Sequence, residues 1–241
     1  MATAQDLLNL LEPKLLGYQD ALTPAGLTPA TENLARKIHF LNEGWHAAWR
    51  ALTGIDVRAN AHWFVKDATV TVTANSFDAN LPADFHDLIF IEPTDEAYDH
   101  IVFKKIGMHQ PRFKSDRESD LGNFLTTDVE VYYSVTYGNP AKLRLARSSP
   151  GAAFNAVYRY SLPNITLSST VIDDMPAPYR PPITDYAAAG ILNAVHEPEL
   201  ARHWWERWTR AYEEMQLAGS KSLDPSMAIG AEDFDGMRSS E

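Results

Sequence analysis

Two histidines and a glutamate near the C-terminus are the residue types that most readily bind a transition metal. Glu199 and His203 are four positions apart, the spacing that places two side chains on one face of a helix, and His196 lies just before them. The segment does not match the HExxH pattern of zinc hydrolases, and Pro198 interrupts a helix between the first histidine and the other two residues. These residues therefore favour a solvated junction between helices over a metal site.

Acidic and hydroxyl side chains elsewhere do not combine into a recognisable catalytic group. Ser148 and Ser149 precede Pro150 and Gly151, which is not the GxSxG turn of a serine hydrolase, and the sequence contains no Gly-rich phosphate loop. Aspartate in loops usually supports local turns. Four candidate carboxylates fall in such predicted loops: Asp84, Asp87, Asp173 and Asp174. The sequence thus predicts no catalytic residue, no cofactor and no metal.

Tyrosines follow the predicted central strands and could in principle stack on nucleic-acid bases. They are Tyr132, Tyr133, Tyr137, Tyr158 and Tyr160. A surface that grips nucleic acid also needs clustered Lys and Arg, whereas this chain has a formal net charge of -11. We therefore expect these tyrosines to fill a core or a subunit interface.

Composition restricts the class of protein further. The 241 residues contain no cysteine, which excludes disulfides, thiolate metal sites and a cysteine nucleophile. The N-terminus lacks the pattern of a secretory signal, and no apolar run approaches the ~18 residues of a membrane span. The expectation is a soluble protein used in a cytoplasm.

The strongest helical signal lies in residues 28–54. Thr28 can cap this helix, Pro29 suits its first position and Gly54 can end it. Apolar residues recur there at three-and-four spacing, which predicts one buried stripe: Leu34, Ile38, Leu41, Trp45, Ala48 and Leu52. A shorter amphipathic helix is predicted over residues 3–16, where Thr3 and Asp6 can cap the start and Pro13 should kink or split the helix.

The period changes to two after residue 59, which predicts a β-rich and antiparallel middle. Predicted strands cover residues 63–73, 88–91, 101–106, 129–137, 142–145 and 154–161, with a turn at Asn75 and Ser76. The charged stretch 112–122 has few apolar anchors, so we interpret it as a mobile loop.

Helical periodicity returns after the proline-rich stretch 175–182. One helix is predicted over residues 183–195, where Ala188, Ala189 and Gly190 allow close approach of a neighbour, and a second begins at Pro198. The apolar stripe of the second consists of Leu200, Trp204, Trp208, Ala211 and Met215. Residues 219–241 form a polar, acidic arm.

Each predicted N- and C-terminal helix has one apolar stripe to bury, so the economical arrangement packs them together. The predicted fold is therefore α+β, a helical bundle of N- and C-terminal helices with a β-rich antiparallel insertion projecting from it. The predicted domains are residues 1–57 with 176–218 for the bundle, 58–175 for the insertion and 219–241 for the arm.

Three stretches, taken in order, resemble a known family of virion proteins. They are NLARKIHFLNEGWHAAWRAL in the long helix, LPADFHDLIFIEP in the middle, and the closing segment from VYRYSLPNITL to RWTRAYEEM. Together they are similar to head-to-tail connector proteins, also called adaptor or head-completion proteins, of tailed bacteriophages. The resemblance covers roughly residues 28 to 218, and no single motif in it is specific.

The resemblance implies a function in the phage neck. It implies a homo-oligomeric ring, twelve-fold in similar proteins, seated beneath the portal protein after DNA packaging and assembled in the host cytoplasm. Such a ring extends the channel, lets genomic DNA pass without sequence-specific binding, and gives the tail or further neck proteins a platform. It brings no catalytic residues, no cofactor and no membrane partner. Another ring-forming virion protein, a tail terminator or tail-tube subunit, is the alternative; an enzyme with an unrecognised site is a weaker one.

A ring subunit needs surfaces for its neighbours and for the portal. The outer side of the long helix supplies the candidates for subunit contacts: Arg36, His39, Asn42, Glu43, His46 and Arg50. The C-terminal arm supplies the candidates for portal binding, by likeness to the tails of similar proteins: Leu223, Met227, Ile229 and Phe234.

Overall fold

A computed structural model gives the fold. It describes residues 1–15, 29–53, 64–118, 123–124 and 130–221. Internal contacts gather the chain into two compact units: Met1–Trp63 with Leu162–Glu241, and Phe64–Ser161. Helices dominate the first and strands the second, so the predicted α+β class is confirmed. The predicted domain boundaries stay a prediction.

The described elements follow one another as α1 (Ala4–Leu15), α2 (Pro29–Thr53), β1 (Val65–Val72), β2 (Asp78–Asn80), β3 (Phe85–Pro93), β4 (Val102–Lys105), α3 (Pro111–Glu118), β5 (Glu130–Thr136), β6 (Lys142–Leu145), β7 (Ala152–Tyr160), α4 (Arg180–Ala194) and α5 (Pro198–Lys221). We call the first unit the helical unit and the second the β unit.

Helix α4 is the centre of the helical unit. It packs against α1, α2 and α5, whereas α2 and α5 also touch each other. Its buried residues lie on several sides of the helix instead of along one stripe: Ile183, Thr184, Asp185, Ala187, Ala188, Ala189, Ile191 and Leu192. Many of them are small, because neighbours on several sides must approach its axis closely.

Glycines mark two of these close approaches. A Cβ atom at Gly190 would lie 2.5 Å from the Phe40 ring, and one at Gly219 would lie 2.6 Å from the carbonyl oxygen of Leu52. Both distances are shorter than van der Waals contact, so α4 and α5 come nearer to α2 than any larger residue would allow. The predicted close approach at Gly190 is thereby confirmed.

The start of α4 differs from the prediction. The sequence placed it at Ile183, after the prolines, but the helix begins at Arg180 and contains Pro181 and Pro182 in its first turn. Proline is tolerated there because the first N–H groups of a helix have no partner within it.

The long predicted helix is confirmed as α2, whose predicted cap residues Thr28 and Gly54 lie outside the described residues. The core of its stripe is buried as expected, at Leu41, Trp45, Ala48 and Leu52. The stripe weakens toward the start, where Leu34 is exposed.

Helix α1 runs unbroken through Pro13, so the predicted split does not occur. Pro13 lies in its last turn, where little helix remains to be disrupted. At the other end the Thr3 N–H donates to a carboxylate oxygen of Asp6 at 2.8 Å, as a capping box requires.

A buried carboxylate ties three helices together. Asp185 of α4 is 4% exposed and accepts a hydrogen bond from the ammonium of Lys14 of α1, which also donates to Thr184 Oγ1 at 2.5 Å. Arg207 of α5 lies 3.5 Å from the second Asp185 oxygen. The Trp204 ring lies against both cations, 5.1 Å from Lys14 Nζ and 5.0 Å from the Arg207 guanidinium. Burial lowers the pKa of Lys14, an effect that the hydrogen bond to Asp185 opposes.

Two sheets make up the β unit, with strand orders β1-β7-β3 and β2-β6-β5-β4. The predicted strands are all found, but the three-residue strand β2 was missed. The antiparallel prediction holds for the pairings of β7 and β6, whereas β4 pairs with β5 in parallel. A parallel pair needs a crossover connection, and residues 106–129 between these two strands supply it.

The predicted loop 112–122 is largely a helix. Helix α3 covers Pro111–Glu118, and residues 119–122 lie outside the described part. Its single large apolar residue, Phe113, is buried, and Asp116 pairs with Arg147 at 2.9 Å. These two long-range contacts hold a helix whose own sequence carries no amphipathic pattern.

Removing the central indole of α2 should destabilise the helical unit. Trp45 is 1% exposed, and its indole N–H has no hydrogen-bond partner among the described residues. Trp45→Ala should lower the free energy of unfolding by about 3–5 kcal/mol. Trp45→Phe keeps most of the ring and removes the unpartnered N–H, so it should cost less than about 1.5 kcal/mol. Urea denaturation measures both, and similar losses for the two variants would contradict this packing.

Removing the Lys14 charge from the buried ion cluster should destabilise the protein, and removing the Asp185 charge as well should add little to that loss. Lys14→Met leaves Asp185 with Arg207 alone and should cost about 3 kcal/mol, whereas adding Asp185→Asn should cost little more, because no buried charge remains unpaired. The control is Arg202→Met, which breaks an exposed pair with Glu199 and should cost under about 0.5 kcal/mol. Equal losses for Lys14→Met and Arg202→Met in urea denaturation would show that the cluster contributes no stability.

Candidate interaction surface

Two of the three residues of the metal hypothesis have other partners in the structure. His196 lies in the turn between α4 and α5 at φ 64°, Glu199 pairs with Arg202 at 2.9 Å, and the His203 ring packs edge-on against Trp204. Within the described residues, no group of three His, Asp or Glu side chains is arranged to hold a metal ion. The arrangement is that of a helix junction.

The candidate carboxylates of the β unit serve as local acceptors. Asp84 pairs with Lys66 at 3.2 Å and accepts from the Tyr158 hydroxyl at 2.9 Å. Asp87 accepts from the Tyr137 hydroxyl, also at 2.9 Å. Burial, helped by these carboxylates, raises the pKa of Tyr158 and of Tyr137 to about 12. Tyrosine hydroxyls are protonated at neutral pH even without this shift, and here both donate to a carboxylate.

The remaining candidates for chemistry also hold local structure. Asp173 accepts from the Ala2 N–H at 2.8 Å and lies 3.5 Å from Arg180, and Asp174 is an exposed turn residue. Ser149 is buried: its hydroxyl donates to Val72 and accepts from the N–H groups of Gly151 and Ala152. This is the bonding of a turn anchor.

The tyrosines divide between core and surface. Tyr133, Tyr158 and Tyr160 are buried in the β unit, as expected of core residues, and Tyr132 is half-buried. Tyr137 is well exposed and packs against Phe85.

The outer side of α2 carries the residues expected at a subunit contact. His39, Glu43 and Arg50 are exposed, and His39 lies 3.5 Å from Glu43 on the same helix face. Arg36 is half-buried. These four side chains lie along one edge of α2 at the surface of the helical unit.

Two members of this set are already engaged within the subunit. The side-chain amide of Asn42 donates to the carbonyl of Ile165 at 2.8 Å, and its oxygen accepts from the N–H of the same residue at 2.7 Å. His46 Nε2 lies 2.7 Å from the side-chain oxygen of Asn164. Both residues therefore fix the segment that follows β7 against α2.

A groove opens between α2 and α5 with α4 as its floor. One pocket of about 420 Å³ lies toward the start of α5, and an adjoining one of about 460 Å³ lies further along. Tyr186 and Trp205 line both pockets. We call this feature the α2–α5 groove. Its other lining residues that matter here are Glu43, Arg50, Gly190, Arg202, Trp208, Thr209 and Tyr212.

Aromatic rings in tilted and edge-on contact line the α2–α5 groove. The Tyr186 ring packs 5.7 Å from Trp205 and 5.2 Å from Trp208, which in turn packs 5.5 Å from Tyr212. Trp208 is buried, but Trp205 is 50% exposed. Burial raises the pKa of Tyr186, with nearby Glu43 adding to the effect. A half-exposed Trp beside a Tyr and an Arg is the typical composition of a protein-binding hot spot.

Sequence reasoning missed this groove. It assigned Trp204 and Trp208 to the buried stripe of α5 and left Trp205 without a role. Trp205 lies off the stripe, and a large aromatic residue on the polar side of an amphipathic helix was the available signal. Tyr186 gave no comparable signal, because it comes from another helix.

The four residues expected to bind the portal, Leu223, Met227, Ile229 and Phe234, lie outside the described residues. In the part of the chain that the structure describes, no helix is long and apolar enough to cross a membrane.

Comparison with protein families gives a match over nearly the whole chain. A family model described as SU10 adaptor protein matches residues 2–228, which includes both units. A search of curated proteins finds no match.

Proposed function

Because the chain belongs to the SU10 adaptor protein family, we propose that it is a structural protein of the phage neck. Its copies form an adaptor ring, twelve-fold in similar proteins, that binds beneath the portal and extends the DNA channel. The ring offers the platform to which the tail or further neck proteins bind. The protein assembles in the host cytoplasm, becomes part of the virion and does no catalysis.

The family match over residues 2–228 carries this proposal. It spans the β unit and most of the helical unit, so the relation is not limited to a single one of the two units. The connector resemblance of the sequence points to the same class of protein on its own motifs.

The surface of the helical unit supports a role in assembly. A ring subunit must present surfaces that association buries. The α2–α5 groove exposes the aromatic side chain of Trp205, and burying it in a contact would be favourable. In the proposal, the outer side of α2 contributes to subunit contacts through Arg36, His39, Asn42, Glu43, His46 and Arg50. Asn42 and His46 contribute indirectly, by holding the segment 164–165 that lies beside them.

The C-terminal arm is the proposed portal contact. Residues 222–241 follow α5 and combine spaced apolar residues with acidic ones. The apolar ones, Leu223, Met227, Ile229 and Phe234, would bind the portal, as tails do in similar proteins.

Mixing the purified protein with the portal of its own phage tests the proposal. Negative-stain images should show rings on the portal vertex for the full chain. A chain truncated after Lys221 keeps every described element, so its thermal unfolding should be unchanged while it no longer joins portals. Normal attachment of the truncated chain would refute the portal role of the arm, and failure of the full chain to bind any portal would refute the adaptor assignment.

The acidic character of the chain predicts weak binding to DNA. With a net charge of -11, a channel built from these subunits offers passing duplex few phosphate contacts. In mobility-shift assays at physiological salt, the apparent Kd for linear duplex should be weaker than about 10⁻⁴ M. A tighter, salt-sensitive shift would contradict a channel through which DNA merely passes.

A further inference from the structure

Three strand ends meet at the place where the chain enters and leaves the β unit. Strand β1 begins there and β7 ends there, because Val65 pairs with Arg159 in their antiparallel ladder. Strand β3 begins beside them, since Phe85 pairs with Tyr160. Any opening of this sheet that starts from the chain's entry and exit must therefore begin by separating these strand ends.

Asp84, from the phrase LPADF, lies just before β3 and bonds to both other strands. One carboxylate oxygen accepts from the Tyr158 hydroxyl of β7 at 2.9 Å, and the other lies 3.2 Å from Lys66 Nζ of β1. Its main-chain carbonyl accepts from the N–H and the hydroxyl of Ser161, at 2.8 and 3.2 Å. One residue thus connects the ends of three strands. We call Asp84 with Lys66, Tyr158 and Ser161 the Asp84 clasp.

Phe64, the first residue of the β unit, has a strained backbone. Its φ is 64°, in the left-handed region that only glycine adopts without cost. Its carbonyl accepts from the Tyr160 N–H at 3.0 Å, and its buried ring packs edge-on 5.9 Å from the Tyr160 ring. Lys66 Nζ lies 3.8 Å from the centre of the same Tyr160 ring. The strained conformation is therefore held by Tyr160, which lies between clasp residues in sequence and in space.

We propose that the Asp84 clasp is a conformational switch that holds Phe64 in its left-handed state. When the clasp opens, the bond from Tyr160 to Phe64 is lost and the Phe64 backbone relaxes to an extended conformation, which redirects the chain where it enters the β unit. Strain favours the open state and the hydrogen bonds favour the closed one, so the entry has two discrete states. This inference concerns the β unit alone and does not depend on the proposed function.

A second aspartate supplies a matched control. Asp87, three residues further on, accepts from the Tyr137 hydroxyl at 2.9 Å and lies 3.4 Å from Lys105 Nζ. The chemistry is that of Asp84, but Lys105 belongs to β4 and Tyr137 follows β5. Asp87 therefore does not join β1 to β7, and its removal should not open the clasp.

Hydrogen exchange of the full chain, resolved to single amides by mass spectrometry, measures the opening. Two amides report on the clasp, the N–H groups of Tyr160 and Ser161. The N–H of Ala152, which donates to Ser149 Oγ, reports on the other end of β7. Asp84→Ala leaves the buried Tyr158 hydroxyl without its acceptor and should speed exchange at the two clasp amides about tenfold. Exchange at Ala152 should not change, and Asp87→Ala should change none of the three amides.

Milder variants of the clasp separate its bonds. Asp84→Asn keeps an oxygen for Tyr158 and loses only the ion pair to Lys66, whose side chains are 47% and 38% exposed. It should speed exchange at the clasp amides less than about threefold. Tyr158→Phe keeps the ring and removes the same hydrogen bond as Asp84→Ala. It should speed exchange at the clasp amides more than Asp84→Asn does, and it tests the switch even if Asp84→Ala does not fold.

Two substitutions at Phe64 measure the strain. Phe64→Ala and Phe64→Gly both remove the ring and differ in whether the left-handed backbone is costly. Glycine adopts a φ of 64° freely, so the clasp amides of Phe64→Gly should exchange about threefold more slowly than those of Phe64→Ala.

Three results would overturn the switch. Equal acceleration at Ala152 in Asp84→Ala would show that Asp84 stabilises the β unit as a whole. Unchanged exchange at Tyr160 and Ser161 in both Asp84→Ala and Tyr158→Phe would show that the clasp does not hold the strand ends. Exchange in Phe64→Gly as fast as in Phe64→Ala would show that the entry stores no strain. None of these results bears on portal binding, so the adaptor assignment is tested separately.

Discussion

The close packing around α4 is the constraint on which the helical unit depends. A surface helix leaves one side exposed to solvent, but α4 has neighbours on opposite sides, and small residues let several of them approach closely. Gly190 of α4 shows how little space is left, since a single added carbon would overlap the Phe40 ring of α2. Helix α4 is therefore the element that contacts α1, α2 and α5 alike.

The same packing explains why the α2–α5 groove exists. Near the end of α5, Gly219 lets this helix approach the backbone of α2 closely. Toward the start of α5, the bulky rings of Tyr186 on α4 and Trp205 on α5 pack against each other, and the groove beside them stays open. The ion cluster of Lys14, Asp185 and Arg207 does not line the groove, so this source of stability is separate from the groove surface.

Local periodicity predicted what local sequence controls. Helix α2 was clear because its apolar spacing extends over many turns, and strand β6 was placed at its observed bounds. Distant contacts control the rest. Strand β2 has three residues and exists through its pairing with β6, and α3 is held by Phe113 and by the bond of Asp116 to Arg147, 31 positions away. The groove joins α2 to α4 and α5, which come much later in the chain, so no single window could reveal it.

The two hydrogen bonds between the Asn42 side chain and the backbone of Ile165 have a consequence for how this sequence can drift. The Asn42 amide acts here like a peptide group, because it offers one donor and one acceptor to the main chain of residue 165. Every residue type except proline provides the matching backbone N–H and carbonyl. Substitution at 165 is limited only by the buried side chain and by proline, whereas aspartate at 42 would lose the donor and leucine both bonds. Among relatives, position 42 should therefore hold its residue type while position 165 exchanges one apolar residue for another.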